Sequence, residues 1–254
     1  MISLPAMTDS ISSPPPLRGV SSMATRLVLA ELLRDWHAEG REPVALESIG
    51  GVEAARRVAS GEPFDWVVLA SDALQQLAAQ GHVQADTCVP LVRSPVAVAV
   101  PAGFPRPDLG SVEGVRQAVL GARRLGVSTG PSGQALQQLF ERWGLGAQVR
   151  ARLVIPPPGV PVGSLLARGE IDLGFQQLSE LMHIPGIQVV GTLPPPVAIE
   201  TVFSGAATAC CTRTDAVRRL LAFLAAPAAA AAKRRHGMEP ALAADDARKV
   251  WTHA

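Results

Sequence analysis

No sign of charge predominates in this chain. Lysine and arginine together number 23, and aspartate and glutamate 22. So even a balance gives no electrostatic basis for binding nucleic acid or an anionic membrane. Cysteine is scarce, with only Cys88, Cys210 and Cys211. Adjacent Cys210 and Cys211 are poorly placed to bridge each other, and three is an odd count, so a disulfide framework is not expected. No CxxC or His-rich spacing is present, so neither a metal nor another cofactor is expected. There is no apolar run of roughly 18 residues, which excludes a membrane-spanning helix of the usual length. A secretory leader needs a basic start and an unbroken apolar stretch of roughly 7–15 residues. Residues 1–16 offer neither: prolines, serines and Asp9 interrupt Ile2, Leu4, Ala6, Met7 and Ile11, and there is no Lys or Arg. This segment reads as a short disordered tail. A cytoplasmic location is the expectation, with a periplasmic one only if the true N-terminus lies further upstream.

What is present is a globular composition: 48% hydrophobic and 18% charged residues over 254 positions. That length suffices for one large domain or two small lobes. Strand, polar turn and helix alternate. A strand at 17–20 runs into Ser21-Ser22 and a helix over 23–36. A second strand at 44–46 leads through Ser48-Ile49-Gly50-Gly51 to a helix over 52–60. A third, Trp66-Val67-Val68-Leu69, leads through Ser71-Asp72 to a helix over 73–80. The pattern continues with strands at 95–100, 125–127, 153–155, 171–175, 189–190 and 198–203. Helices are expected over 112–121, 134–143, 162–168, 215–225 and 227–236. Such alternation predicts an α/β fold with a parallel sheet.

Small polar residues therefore gather at strand-to-helix turns. Ser21, Ser22, Ser48, Gly50, Ser71, Ser128, Thr129, Ser132 and Gly133 all lie there. In an open parallel sheet such turns share one edge, where helix N-termini present free N–H groups and a partial positive charge. Hydroxyls add donors and glycine admits close approach, so neutral groups can hold a small anion there. The same residues are also common helix caps, and each turn by itself fits either role. Ser128 to Gly133 lacks the lysine of a nucleotide-binding phosphate loop. Arg93, between apolar stretches at 89–92 and 95–100, is placed to grip a carboxylate bidentately, or else is a surface strand residue. Gln176 and Gln177 follow a buried strand, and one of them is a candidate for the site. His37, His82, His183, His236 and His253 are scattered and compose no catalytic triad. Glu47 and Glu180 are the acids that fall near the turns, and they are the candidate bases if the protein is an enzyme.

Four segments resemble the extracellular solute-binding family that includes molybdate-binding proteins: Gly61 to Leu69, Pro161 to Gln177, the loop Ser128 to Gly133, and Ala225 to Pro240. Their order and spacing carry the likeness from about Leu17 to Pro240. The resemblance implies a two-lobed type II periplasmic-binding-protein-like fold with a ligand cleft between the lobes. One lobe would comprise residues 17–92 plus 200–254, the other 93–199, with crossings near Arg93 and Thr201. The ligand positions it carries over are Ser21 or Ser22, Ser48, and the loop from Ser128 to Ser132. The chain departs from the molybdate binders in two respects. They commonly place a tyrosine where Gln176 stands, and this chain has none. Arg93 also suits a carboxylate better than a tetrahedral oxyanion. The same broad family includes aconitate isomerase, which moves a double bond by allylic proton transfer. Two functions are thus expected in competition: a receptor for a small oxyanion or organic carboxylate, or an intracellular isomerase of an unsaturated di- or tricarboxylate. A regulatory ligand sensor is a third option. The expected partner is a small anionic ligand, joined by an ABC permease only if the protein is exported.

Overall fold

The computed structural model describes residues 15–157 and 159–241. Most of the tail expected at 1–16, and the end of the first lobe beyond residue 241, lie outside the described residues.

Three strands open the chain: β1 (Leu17–Ser22), β2 (Val44–Ile49) and β3 (Trp66–Ala70). β1 lies between the other two and pairs parallel with both. Helix α1 (Arg26–Ala38) follows β1 through a short 3-10 turn, Met23–Thr25; α2 (Gly51–Ala59) follows β2 and α3 (Ser71–Ala79) follows β3. Next comes β4 (Val89–Pro101), a strand of 13 residues. It is long because it serves two halves of the sheet.

The second half contains α4 (Val112–Gly121), β5 (Leu125–Val127), α5 (Pro131–Arg142), α6 (Gly146–Arg150), β6 (Leu153–Val154) and α7 (Val162–Ala167). β7 (Leu173–Gln177), α8 (Leu178–Leu181) and β8 (Ile187–Thr192) complete it. β5 pairs parallel with β6 and β7. The chain then returns through β9 (Glu200–Ala207) to α9 (Thr214–Ala225), α10 (Ala230–Arg235) and the short β10 (Glu239–Pro240). β9 runs antiparallel to β3 and to the first part of β4. The second part of β4 pairs instead with β7 and β8. β4 is therefore the crossing strand, with its partners changing between Pro95 and Val96.

Side-chain packing follows the same division. On one face of β1 to β3, Leu17, Trp66 and Val68 pack with Val28, Leu32 and Trp36 of α1 and Leu220 and Leu224 of α9. On the opposite face, Val20, Val67 and Leu69 meet Val58 of α2 and Leu74 of α3. In the other half, Val96, Val98 and Val100 of β4 join Val115, Val119, Leu136, Phe140 and Phe175. The intervening Ala97 and Ala99 face Val162, Leu166 and Ile171. A strand covered on both faces needs apolar residues at every position, which is why 95–100 reads as an unbroken apolar run. Two lobes with separate cores result, joined through β4 and β9.

Three boundaries differ from the sequence expectation in ways that bear on the site. β1 continues to Ser22, so Ser21 and Ser22 are strand residues rather than a turn. β2 continues to Ile49, so Ser48 lies inside a strand rather than in a turn. β7 ends at Gln177, so both glutamines are strand residues. Parallel pairing with β1 through Ile49 holds β2 extended. Pairing of Val96 and Ala97 with Gln177 and Gln176 does the same for β7.

Candidate functional site

Between the lobes lies a cleft of about 410 Å³. Its first wall comes from Ser22 at the end of β1 with Met23 and Ala24 beyond it, Gly50 to Val52 at the start of α2, and Ala70, Asp72 and Ala73 at the start of α3. Its second wall comes from Ser128 to Ser132 at the start of α5, the loop around Pro156 and Pro157, and Gln176, Gln177 and Glu180 at the β7–α8 junction. Thr201 and Phe203 of β9 close the floor. Three helices of nine or more residues thus direct their N-termini into one space. Their first-turn N–H groups lack intrahelical acceptors and carry partial positive charge.

The structure brings Ser22, Gly50, Ser128, Thr129, Ser132, Gln176 and Glu180 to this cleft. Ser128 Oγ and Ser132 Oγ lie 3.1 Å apart across the first turn of α5. Gly133 stands one residue beyond the lining and has a different reason to be glycine: a Cβ there would collide with the Ser128 carbonyl. Its bareness lets the loop fold back so that both serine hydroxyls meet.

The other candidates are engaged elsewhere. Ser21 is fully buried, and its hydroxyl bonds Ser48 Oγ at 2.8 Å, tying β1 to β2 below the cleft. Ser71 donates to Val202 O at 3.1 Å and shares a 2.7 Å hydrogen bond with Ser204 Oγ, so it fastens α3 to β9. Glu47 is exposed and pairs with Arg57 at 2.6 Å. Arg93, the expected carboxylate anchor, is not among the lining residues. Its guanidinium pairs with Glu200 at 3.0 Å, a consequence of β4 and β9 running side by side there.

Among the described lining residues there is no Lys, Arg or His, and the titratable side chains are Asp72 and Glu180. Glu180 is half-buried. Burial pushes its carboxyl up to about 7, while a hydrogen bond from Gln176 acts in the opposite direction. Gln177 is tied to another lining residue: its Nε2 donates to Thr201 Oγ1 at 2.7 Å. Asp72, read as a turn residue, Thr201, placed near a crossing by the resemblance, and the loop at Pro156 and Pro157 belong to the cleft without having been site candidates in the sequence. The proline run was a visible loop signal, but Thr201 sits in an ordinary strand pattern.

Neutral donors, helix N-termini and one carboxyl poised near neutrality can bind an anion and can also move a proton. Among the described residues, no group of three or more His, Cys, Asp or Glu is arranged to hold a metal ion. None of their helices is long and apolar enough to cross a membrane.

Comparison with known proteins adds three findings. A family model described as bacterial extracellular solute-binding protein matches residues 17–239. An aconitate isomerase from a Pseudomonas species is 38% identical over 201 residues, which span 77% of this chain and 76% of that protein. Among solved structures, the periplasmic molybdate-binding protein of Azotobacter vinelandii has a TM-score of 0.73 at 20% identity, covering 89% of this chain and 99% of that one. The sulfate-binding protein of Mycobacterium tuberculosis has a TM-score of 0.71 at 16% identity, covering 93% and 91%.

Proposed function

The chain belongs to the bacterial extracellular solute-binding protein family, and we propose that its cleft binds a small unsaturated polycarboxylate and isomerises it by allylic proton transfer. The observation that carries this reading is Glu180. When ionised, a carboxyl among the donors of a simple anion receptor repels the ligand at short range. A base for a carbon acid needs such a group, desolvated and titrating close to the working pH. The 38% identical relative is named an aconitate isomerase, which supports the same choice. Cleft volume also favours an organic ligand, since about 410 Å³ falls within the range of roughly 300–1,000 Å³ common for small-molecule sites.

In the proposed reaction the substrate carboxylates are held by first-turn N–H groups of α2 and α5 and by the hydroxyls of Ser22, Ser128 and Thr129. Ionised Glu180 removes a proton from the allylic methylene. The C–H pair becomes a new double bond to the central carbon, and the old double-bond pair moves to the far carbon. Glu180, now protonated, delivers its proton there. One C–H bond breaks and one forms, and neither oxidant nor reductant is consumed. Negative charge developing along the allyl system spreads into carboxylates already held by fixed donors, the kind of preorganised stabilisation that lowers such barriers.

A second reading, an oxyanion or carboxylate receptor without chemistry, is favoured by the absence of basic side chains among the described lining residues. One experiment separates the two. The protein is incubated with cis- and trans-aconitate in deuterated water and followed by NMR. Interconversion is expected, with deuterium uptake to the extent that the Glu180 proton exchanges with solvent, and the absence of interconversion at high protein concentration rejects the isomerase. A thermal-shift panel of aconitates, molybdate and sulfate then decides what the receptor holds.

A further inference from the structure

We propose that Thr201 is a ligand-binding residue, donating its hydroxyl proton to the bound anion from the floor of the cleft, and that Gln177 is the positioning residue that aims it. The inference rests on the reading that the cleft binds an anion, and extends it to a donor on a strand that joins the lobes.

Thr201 and Phe203 stand two residues apart on β9, on one face of the strand, and both line the cleft. Thr201 is half-buried, whereas Gln177 is 4% exposed. Gln177 Nε2 donates to Thr201 Oγ1 at 2.7 Å. A hydroxyl has one proton to give and two lone pairs with which to accept. Gln177 takes a lone pair, so the Thr201 proton is directed away from the amide. Among the described residues no protein group accepts that proton. The orientation of the amide follows from its burial. Gln177 Oε1 is buried without a partner. Turned the other way, the amide would accept from Thr201 and bury an NH₂, with two donors, where Oε1 now lies. Buried N–H groups without acceptors are rarer than under-satisfied carbonyls. An unpaired buried carbonyl lowers stability, a cost that an apolar side chain of this length would not carry. What Gln177 contributes therefore lies at its Nε2 end, on Thr201.

Position makes this donor useful. The N-termini of α2 and α3 belong to one wall and that of α5 to the other, so they approach or separate when the lobes rotate. Thr201 lies on neither wall. It pairs with Ser94 of β4, beside the Arg93–Glu200 ion pair, while Gln177 comes from β7 of the second lobe. A hydroxyl on the crossing strand holds its place while the walls move, and fixes one end of the ligand before they close. A carboxylate suits it, because a hydrogen bond to a charged acceptor is stronger than one to a neutral acceptor.

Isothermal titration with tricarballylate, which has no double bond to move, reads the donor without turnover. Thr201→Val keeps the shape and removes the hydroxyl. It is expected to weaken binding about tenfold, from the loss of one hydrogen bond to a charged group. Thr201→Ser keeps the donor and is expected to bind within about threefold of wild type. Gln177→Met is expected to weaken binding about threefold in wild type and to add nothing in Thr201→Val, since the amide acts only through the hydroxyl. Variants that lower Tm with affinity unchanged indicate a fastening between β7 and β9 alone and overturn the inference. A second measurement needs no variant. In wild-type protein the side-chain NH₂ signals of Gln177 are expected to move downfield on saturation with tricarballylate, because a hydroxyl that donates becomes a better acceptor. Unmoved signals overturn the inference. Failure to turn over aconitate counts against the isomerase alone. If sulfate or molybdate binds in place of tricarballylate, the polycarboxylate reading falls, and Thr201→Val must weaken that anion about tenfold for the donor to stand. If none of the three binds, the donor falls with the anion reading.

Discussion

Arg93 Nη1 lies 3.0 Å from Glu200 Oε2, across the two strands that join the lobes. The most conspicuous cation of the crossing region is thereby occupied within the protein. Arg93→Ala is expected to leave the affinity for aconitate or tricarballylate within about threefold. Its stability cost should be small, about 0–1 kcal/mol, because both partners are partly exposed. Isothermal titration and thermal unfolding measure the two effects. A hundredfold loss of affinity would restore Arg93 as an anchor.

Ser128 and Ser132 share one hydrogen bond at the mouth of α5. Each is expected to contribute a neutral donor to the bound anion, about 0.5–1.5 kcal/mol apiece. Single alanine substitutions should weaken binding by about two- to tenfold. The double variant should lose less than the product, since each hydroxyl orients the other. Strict additivity in a double-mutant cycle would show that they act independently.

Glu180→Gln is expected to lower isomerisation by about 10²–10⁴-fold while binding of saturated tricarballylate persists. The same variant should stabilise the protein at alkaline pH. The folded carboxyl titrates at about 7, above its ordinary value of 4.5. The folded state therefore holds more protons than the unfolded chain between those values, and this group's stabilising share is lost as pH rises through that window. Removing the charge should restore on the order of 2 kcal/mol near pH 8, or about 4–8 °C in Tm. Little gain is expected near pH 4. Melting curves at the two pH values check the sign.

Lys233 of α10 is 1% exposed and lies against Val28, Leu32, Val68 and Leu224, with Thr25 the polar neighbour. Burial pushes its ammonium down to about 8. Between about 8 and 10.5 the unfolded chain binds the proton and the folded chain does not, so stability should rise with pH across that window. Lys233→Met, which keeps the volume and removes the charge, is expected to raise Tm by several degrees near neutrality and to flatten the rise. A fall in Tm at neutral pH would mean that the ammonium has a stabilising partner.

Much of the fold was legible because its signals are local. Apolar runs at 66–69 and 95–100 marked strands buried on both faces, and the small polar residues after β1, β2, β3 and β5 marked the edge where helices begin. Ser22, Gly50, Ser128, Thr129 and Ser132, picked out by that pattern, do line the cleft. Their neighbours Ser21, Ser48 and Ser71 carry the same chemistry in the same pattern. They differ only in which way a strand's pleat or a helix's first residue turns them.

By itself, then, the sequence determined the α/β alternation, which follows from periodicity, and the family, which four ordered segments carry by resemblance. Tertiary structure decided which groups serve the site. Pairing of β4 with β9 set Arg93 against Glu200, and strand register turned Ser21 toward Ser48. Packing of α7 on β7 set the Gly163 N–H against Gln176 Oε1. Each choice depends on residues far apart in the chain, which no local pattern in the sequence records.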